Sequence, residues 1–207
     1  MLTAFSASFL LILLSELGDK TFFVAAVLAM SSSRLTVFIG ALGGLSLMAI
    51  ISVALGQLVR LFPKIYTHYG SIALFFIFGV LMIIQAWKMT DETAEEEEEE
   101  ARELVGEING GKTSDFKENF LILSKAFSLT FLAEWGDRTQ IATINLSAVY
   151  DPLFVVLGAI SGFAVCVGIA VTTGRLIAQY VSPRILGFLG GMLFLIFGFV
   201  TWFQGID

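Results

Sequence analysis

Two short stretches carry nearly all the chemistry that this chain keeps inside apolar sequence. The first reads SELGDKTF from Ser15 to Phe22. The second reads AEWGDRTQ from Ala133 to Gln140. Both contain Glu-x-Gly-Asp-basic-Thr, and each holds three charged side chains within five residues. A charge at the bilayer centre costs at least about 2.5–3.5 kcal/mol on insertion scales, so six such groups must face one another or a water-filled cavity. Read as continuous helix, Glu16, Asp19 and Lys20 stand at i, i+3 and i+4 and share one face, as do Glu134, Asp137 and Arg138. Gly18 and Gly136 weaken a helix by about 1 kcal/mol each. They permit close helix approach, or local unwinding that frees carbonyl oxygens as ligands. Four carboxylates and two basic groups sum to −2 when fully ionised, which one divalent cation or two protons would neutralise. That arithmetic points to a site alternating between M²⁺ and two H⁺. Carboxylates, the hydroxyls of Thr21 and Thr139, and the amides of Gln140 and Asn145 are hard oxygen donors. They suit Ca²⁺, Mg²⁺ or Mn²⁺.

The elements that must position these groups are membrane spans. The chain has 207 residues, of which 57% are hydrophobic and 14% charged, and its mean hydropathy is +0.86. A soluble domain is nearer a quarter charged. Twelve of the eighteen acids lie between positions 91 and 118, with three of the twelve basic residues, so this segment carries −9 and the rest of the chain +3. The acidic balance therefore belongs to one segment. No basic stripe suggests a nucleic-acid partner. One cysteine, Cys166, and one histidine, His68, leave no basis for a disulfide or a soft-ligand metal site, and both are read as structural. The N-terminal apolar stretch lacks a basic region before it and is longer than a signal-peptide core, so it is read as a retained span.

Spanning the hydrocarbon core takes about 20 apolar residues in a helix. Six windows qualify, at 4–30, 35–60, 71–86, 120–149, 153–180 and 186–203. Tight turns at 31–34 and 150–152, and Pro63 and Pro183, separate neighbours. The two halves repeat: Glu16, Gly18, Asp19 and Thr21 recur 118 residues later, as do Gly40, Ala41, Gly44 and Gly56. LFFIFG at 74–79 returns as LFLIFG at 193–198. Three spans per half is an odd number, so the second half enters from the opposite side. The expected fold is an all-α membrane protein of six transmembrane helices, arranged as two inverted-topology three-helix repeats: 1–90, an acidic linker 91–118, and 119–207. Such repeats commonly place a binding site near the midplane where they meet. Arg34, Lys88, Arg102, Lys112, Lys117 and Arg184 fall on one side against Arg60, Lys64 and His68. The positive-inside bias then puts the central loop in the cytoplasm and both termini opposite.

Two three-span halves, each opening with Glu-x-Gly-Asp-[Lys/Arg]-Thr and joined by an acidic loop, resemble the Gdt-type family of Ca²⁺/Mn²⁺:H⁺ antiporters over nearly the whole chain. The resemblance implies no enzyme and no cofactor, but a secondary transporter exporting Mn²⁺, and with it Ca²⁺, from the cytosol against protons; bacterial members mostly resemble manganese exporters. It makes Glu16, Asp19, Glu134 and Asp137 the metal ligands, in a plasma (inner) membrane or thylakoid membrane. Lys20 matches the family's preferred residue and Arg138 its accepted alternative.

Other readings stand beside this one. The motifs could be buried ion pairs holding helices together, although an excess of two carboxylates argues against pure pairing. Lys20 and Arg138 either orient the carboxylates and tune their charge or touch substrate; Thr21 and Thr139 either ligate or only pack. Gln57, Gln85, Gln140 and Asn145 could simply bond neighbouring helices. Gly40/Gly44 and Gly158/Gly162 read as helix-packing surfaces, the six-glutamate run as a solvated linker, and the twenty phenylalanines as lipid-facing or core bulk. Asp19 and Asp137 could serve an intramembrane aspartyl protease, though such enzymes use unlike motifs. A membrane assembly factor and an amino-acid exporter are further alternatives; the latter would leave four carboxylates unexplained.

Overall fold

The computed structural model describes residues 2–88, 92–105, 116–173 and 183–205, and everything regular in it is helical. The helices are α1 (Leu2–Glu16), α2 (Lys20–Ser31), α3 (Arg34–Val59), α4 (Lys64–Lys88), α5 (Glu92–Val105), α6 (Phe116–Ala133), α7 (Arg138–Val149), α8 (Pro152–Thr173) and α9 (Pro183–Gln204). α3, α4, α8 and α9 are each long and apolar enough to cross a membrane, and their outward surfaces carry Leu, Ile and Phe. The windows at 4–30 and 120–149 are not continuous spans. Each breaks into two half-length helices at its motif.

The cause of both breaks is local. Gly18 has φ +79° and Gly136 φ +87°. This left-handed region costs an L-residue about 1–2 kcal/mol, which a glycine avoids. The glycine ends the first half-helix, and the aspartate after it stands in extended conformation as N-cap of the second. Backbone bonds repeat across the two copies: Asp19 N–H donates to the Glu16 carbonyl and Asp137 N–H to the Glu134 carbonyl, both at 3.2 Å. Glu-x-Gly-Asp-basic-Thr is thus a helix stop followed by a helix start. The single shared face expected for Glu16, Asp19 and Lys20 does not exist, because the backbone turns between them.

Packing brings the breaks together. α1 lies on α8 and α6 on α3, while α3 and α8 pack on each other. The glycines expected to be packing surfaces allow these contacts. A Cβ at Gly44 would sit 2.5 Å from the Phe127 carbonyl oxygen, and one at Gly40 equally close to that of Leu123. Gly158 and Gly162 give α8 the same close approach to Phe5, Phe9 and Ile12 of α1. Gly174, the repeat partner of Gly56, lies outside the described residues. α4 and α9 form a separate pair joined by Phe75, Phe194 and Phe197. This pair leans on α1 through α9 and on α7 through α4, and makes no comparable contact with α2 or α6. The acidic segment is not solvated throughout: α5 packs along α2 with Ala101 and Val105 buried.

Candidate carboxylate site at two helix breaks

The C-terminal end of each first half-helix delivers a glutamate. Glu16 and Glu134 are 2% and 1% exposed, among the most buried side chains of any kind. Their oxygens and one from Asp137 lie within 4.8 Å of one another, close enough to share one cation. At each break the negative end of the first half-helix meets the positive end of the second, which Asp19 or Asp137 caps. Each glutamate is held by the threonine five residues on. Thr21 Oγ1 donates to Glu16 Oε2 at 3.0 Å, and Thr139 Oγ1 to Glu134 Oε2 at 2.8 Å. Thr139 Oγ1 also lies 3.3 Å from Asp137 Oδ2. Glu16 Oε1 is buried without a hydrogen-bond partner among the described residues. A buried acceptor left unsatisfied costs about 1–3 kcal/mol, more when charged, so this atom is matched to a cation or a proton.

The remaining motif residues divide. Asp19 is not among the three converging carboxylates. It accepts a 3.0 Å ion pair from Nη2 of Arg138, which crosses from the other break, while Nη1 of Arg138 donates to Gln85 Oε1 at 2.8 Å. Lys20 meets none of the motif carboxylates; its Nζ lies 2.5 Å from Glu100 Oε1 on α5. Arg138 therefore orients a site carboxylate and Lys20 does not. A cavity of about 390 Å³ lies against the site, bordered by Asp19, Lys20, Thr21, Glu100, Asp137 and Arg138, with Gln85 one turn from the end of α4. Glu100 of the central segment forms part of its wall.

Two amides considered as ligands are engaged elsewhere. Gln140 accepts from the Gly136 N–H at 2.7 Å and contacts Met48 Sδ, so it braces the second break; Asn145 donates to the Ser71 carbonyl. Gln57 bonds Ser147, a helix-to-helix contact. Cys166 is buried, its thiol 3.7 Å from the Leu13 carbonyl. Sequence reasoning missed Glu100 and undervalued Gln85. The available signal for Glu100 was Ala101 and Val105, one turn apart and apolar in an otherwise acidic run, which marks one side of that helix as packed.

Long apolar helices, with two shorter ones broken beside clustered carboxylates, are the architecture of a membrane protein. The chain matches the family model for the divalent cation/proton antiporter GDT1 over residues 4–90 and 122–207. It belongs to that family, whose members are transporters. A GDT1-like protein of Synechocystis is 43% identical over 206 residues, covering 100% of both chains. The chloroplastic PAM71-homolog of Arabidopsis thaliana is 41% identical over 97% of this chain, and GDT1-like protein 3 of the same plant 39% over 97%. This chain spans 59% of the length of the chloroplastic relative and 70% of the other. No solved structure matches it.

Proposed function

We propose that the chain is a secondary antiporter that exports divalent cations from the cytosol in exchange for protons, Mn²⁺ foremost and Ca²⁺ as well. One observation carries this reading: Glu16, Glu134 and Asp137 converge at two helix breaks while Glu16 Oε1 has no hydrogen-bond partner among the described residues. In this scheme the three carboxylates ligate the metal as substrate. Thr21 and Thr139 hold them in place and supply further hydroxyl oxygens, and Asp19 is a fourth carboxylate kept at the rim by Arg138. Metal and protons compete for the same oxygens, so each must leave before the other binds, and exchange follows.

We further read the chain as six spans in two inverted repeats, 1–90 and 119–207, with the two broken helices as spans one and four. The central segment is cytoplasmic and both termini lie opposite, in a plasma (inner) membrane or thylakoid membrane. Rocking of one repeat against the other would expose the site to each side in turn. The aspartyl-protease alternative needs two aspartates sharing a proton, whereas Asp19 is committed to Arg138.

The test is flux into proteoliposomes under an imposed pH gradient, comparing Mn²⁺, Ca²⁺ and Mg²⁺. Proton-coupled Mn²⁺ flux is expected. Divalent flux with no pH coupling would refute antiport, and no flux for any ion would favour an assembly role.

A further inference from the structure

We propose that α5 is a docked part of the transport path, and that Glu100 is a positioning residue. By holding Lys20 it keeps that cation out of the carboxylate cluster, and so raises the cluster's affinity for a divalent cation arriving from the central-segment side. The inference rests on reading the site as a cation/proton exchange site.

The two basic residues of the motifs occupy equivalent positions, the first residue of α2 and of α7. Arg138 turns into the site and bonds Asp19 and Gln85. Lys20 turns away to Glu100. What determines this difference lies on α5. Ala101 and Val105 are 0% and 2% exposed, within the same apolar core as α2, and Lys125 of α6 donates to the Val105 carbonyl at the C-terminal end of α5. Apolar contact and this cap fix the helix. Its Glu100 then lines the cavity together with Asp19 and Asp137.

The ion pair itself is not what fastens α5. The two side chains are 30% and 53% exposed, and an exposed pair is a weak, screened contact. Its consequence is where the Lys20 charge points. Asp19, Glu16, Glu134 and Asp137 with Arg138 alone sum to −3. With Lys20 turned inward the sum is −2. A cation entering from this side therefore meets a more negative cluster while Glu100 is docked. Because the pair is weak and partly hydrated, it is also releasable, leaving Lys20 free to turn inward once α5 withdraws.

The experiment is sided Mn²⁺ transport in oriented proteoliposomes, with initial rates measured against Mn²⁺ added on either face. Glu100→Gln is expected to raise KM about fivefold from the central-segment face, the effect of one partly screened unit charge at short range. Vmax should stay within about twofold, and KM from the other face should not change. Glu99→Gln, one residue away and exposed, and Glu100→Asp should match the parent. Introduced into a Lys20→Gln background, Glu100→Gln should shift KM no further, since no cation remains to be released. A shift that persists there would mean that Glu100 acts as an attracting charge only, and would overturn the proposal; so would parental kinetics for Glu100→Gln. If Lys20→Gln is inactive, zero-length carbodiimide coupling of the parent protein decides. A Lys20–Glu100 crosslinked peptide is expected, and its absence would overturn the pairing. If the parent protein itself exchanges no cation for protons, the site reading fails first. Exchange that is indifferent to Glu100 removes only the role of α5.

Discussion

The two copies of Glu-x-Gly-Asp-basic-Thr build the same backbone and different surroundings. In both, a left-handed glycine ends one helix, an aspartate opens the next, and a threonine hydroxyl holds the glutamate. Beyond that they diverge. The second copy sends Arg138 across to Asp19 and Gln85, whereas the first sends Lys20 out to Glu100. A guanidinium offers several donors in a planar fork and can satisfy two acceptors at once; an ammonium is a compact point charge on a flexible stem. The packing is unequal in the same sense. The α4–α9 pair supports α1 and α7 but makes no comparable contact with α2 and α6, and it reaches the cavity through Gln85 of α4. Equal motifs are thus set in unequal contacts.

The largest effect should come from the residues the two copies share. Glu16→Gln and Glu134→Gln keep shape and remove charge, and each is expected to cut Mn²⁺ flux at least about a hundredfold, beyond the usual 10–100-fold loss for a residue that only supports a ligand. Flux assays on variants of equal abundance and thermal stability would check this. Retention of flux in either one would show that a single break suffices, and would end the symmetric account of ligation. Next in size is the response to acid. Cation binding needs ionised carboxylates, so protons compete and KM for Mn²⁺ must rise as pH falls on the side of binding. The rise should approach about tenfold per pH unit for each proton displaced. A KM flat across pH 6 to 8 would be incompatible with shared oxygens.

The difference between the copies predicts a smaller, lopsided result. Arg138→Lys should cost about tenfold in transport, because a shorter side chain with one nitrogen lacks the planar fork that aims separate nitrogens at Asp19 and Gln85. Lys20→Arg should stay within about threefold, since either cation can meet Glu100 at a hydrated rim. Equal losses would mean that the inward and outward arrangements do not differ in function.

How much of this was legible beforehand depends on which residues one follows. The doubled motif, the repeat and the glycine packing faces could all be read directly, because insertion cost and close helix approach act through residue type and spacing. Gly18 and Gly136 allowed two outcomes, close approach or unwinding. Sequence could not choose, since the choice rests on whether the neighbouring helix accepts a turn. The shared-face reading of Glu16, Asp19 and Lys20 failed for that reason. Glu100 was hidden differently. Six consecutive glutamates look alike in sequence, and only the burial of Ala101 and Val105 sets the rotation of α5 and so selects which one faces Lys20.

The finest comparison concerns the two threonines. Thr21 donates to one carboxylate oxygen, at Glu16; Thr139 has its single proton between Glu134 Oε2 at 2.8 Å and Asp137 Oδ2 at 3.3 Å. Thr139 also accepts through its carbonyl from Thr143, which ties it into α7. Removing the hydroxyl as Thr→Val keeps volume and leaves a buried oxygen without its donor, a loss of about 1–3 kcal/mol of positioning when the acceptor is charged. Thr139→Val releases Glu134 and loosens Asp137, which keeps the Thr139 N–H as donor, whereas Thr21→Val releases Glu16 alone. The expected losses of Mn²⁺ affinity are about tenfold and about threefold respectively, read from KM at fixed pH, with the Ser variants restoring both. Equal losses would mean that ligation by the hydroxyl oxygens outweighs their hold on the carboxylates, since ligation depends on the oxygen each contributes and not on how many carboxylates each one holds.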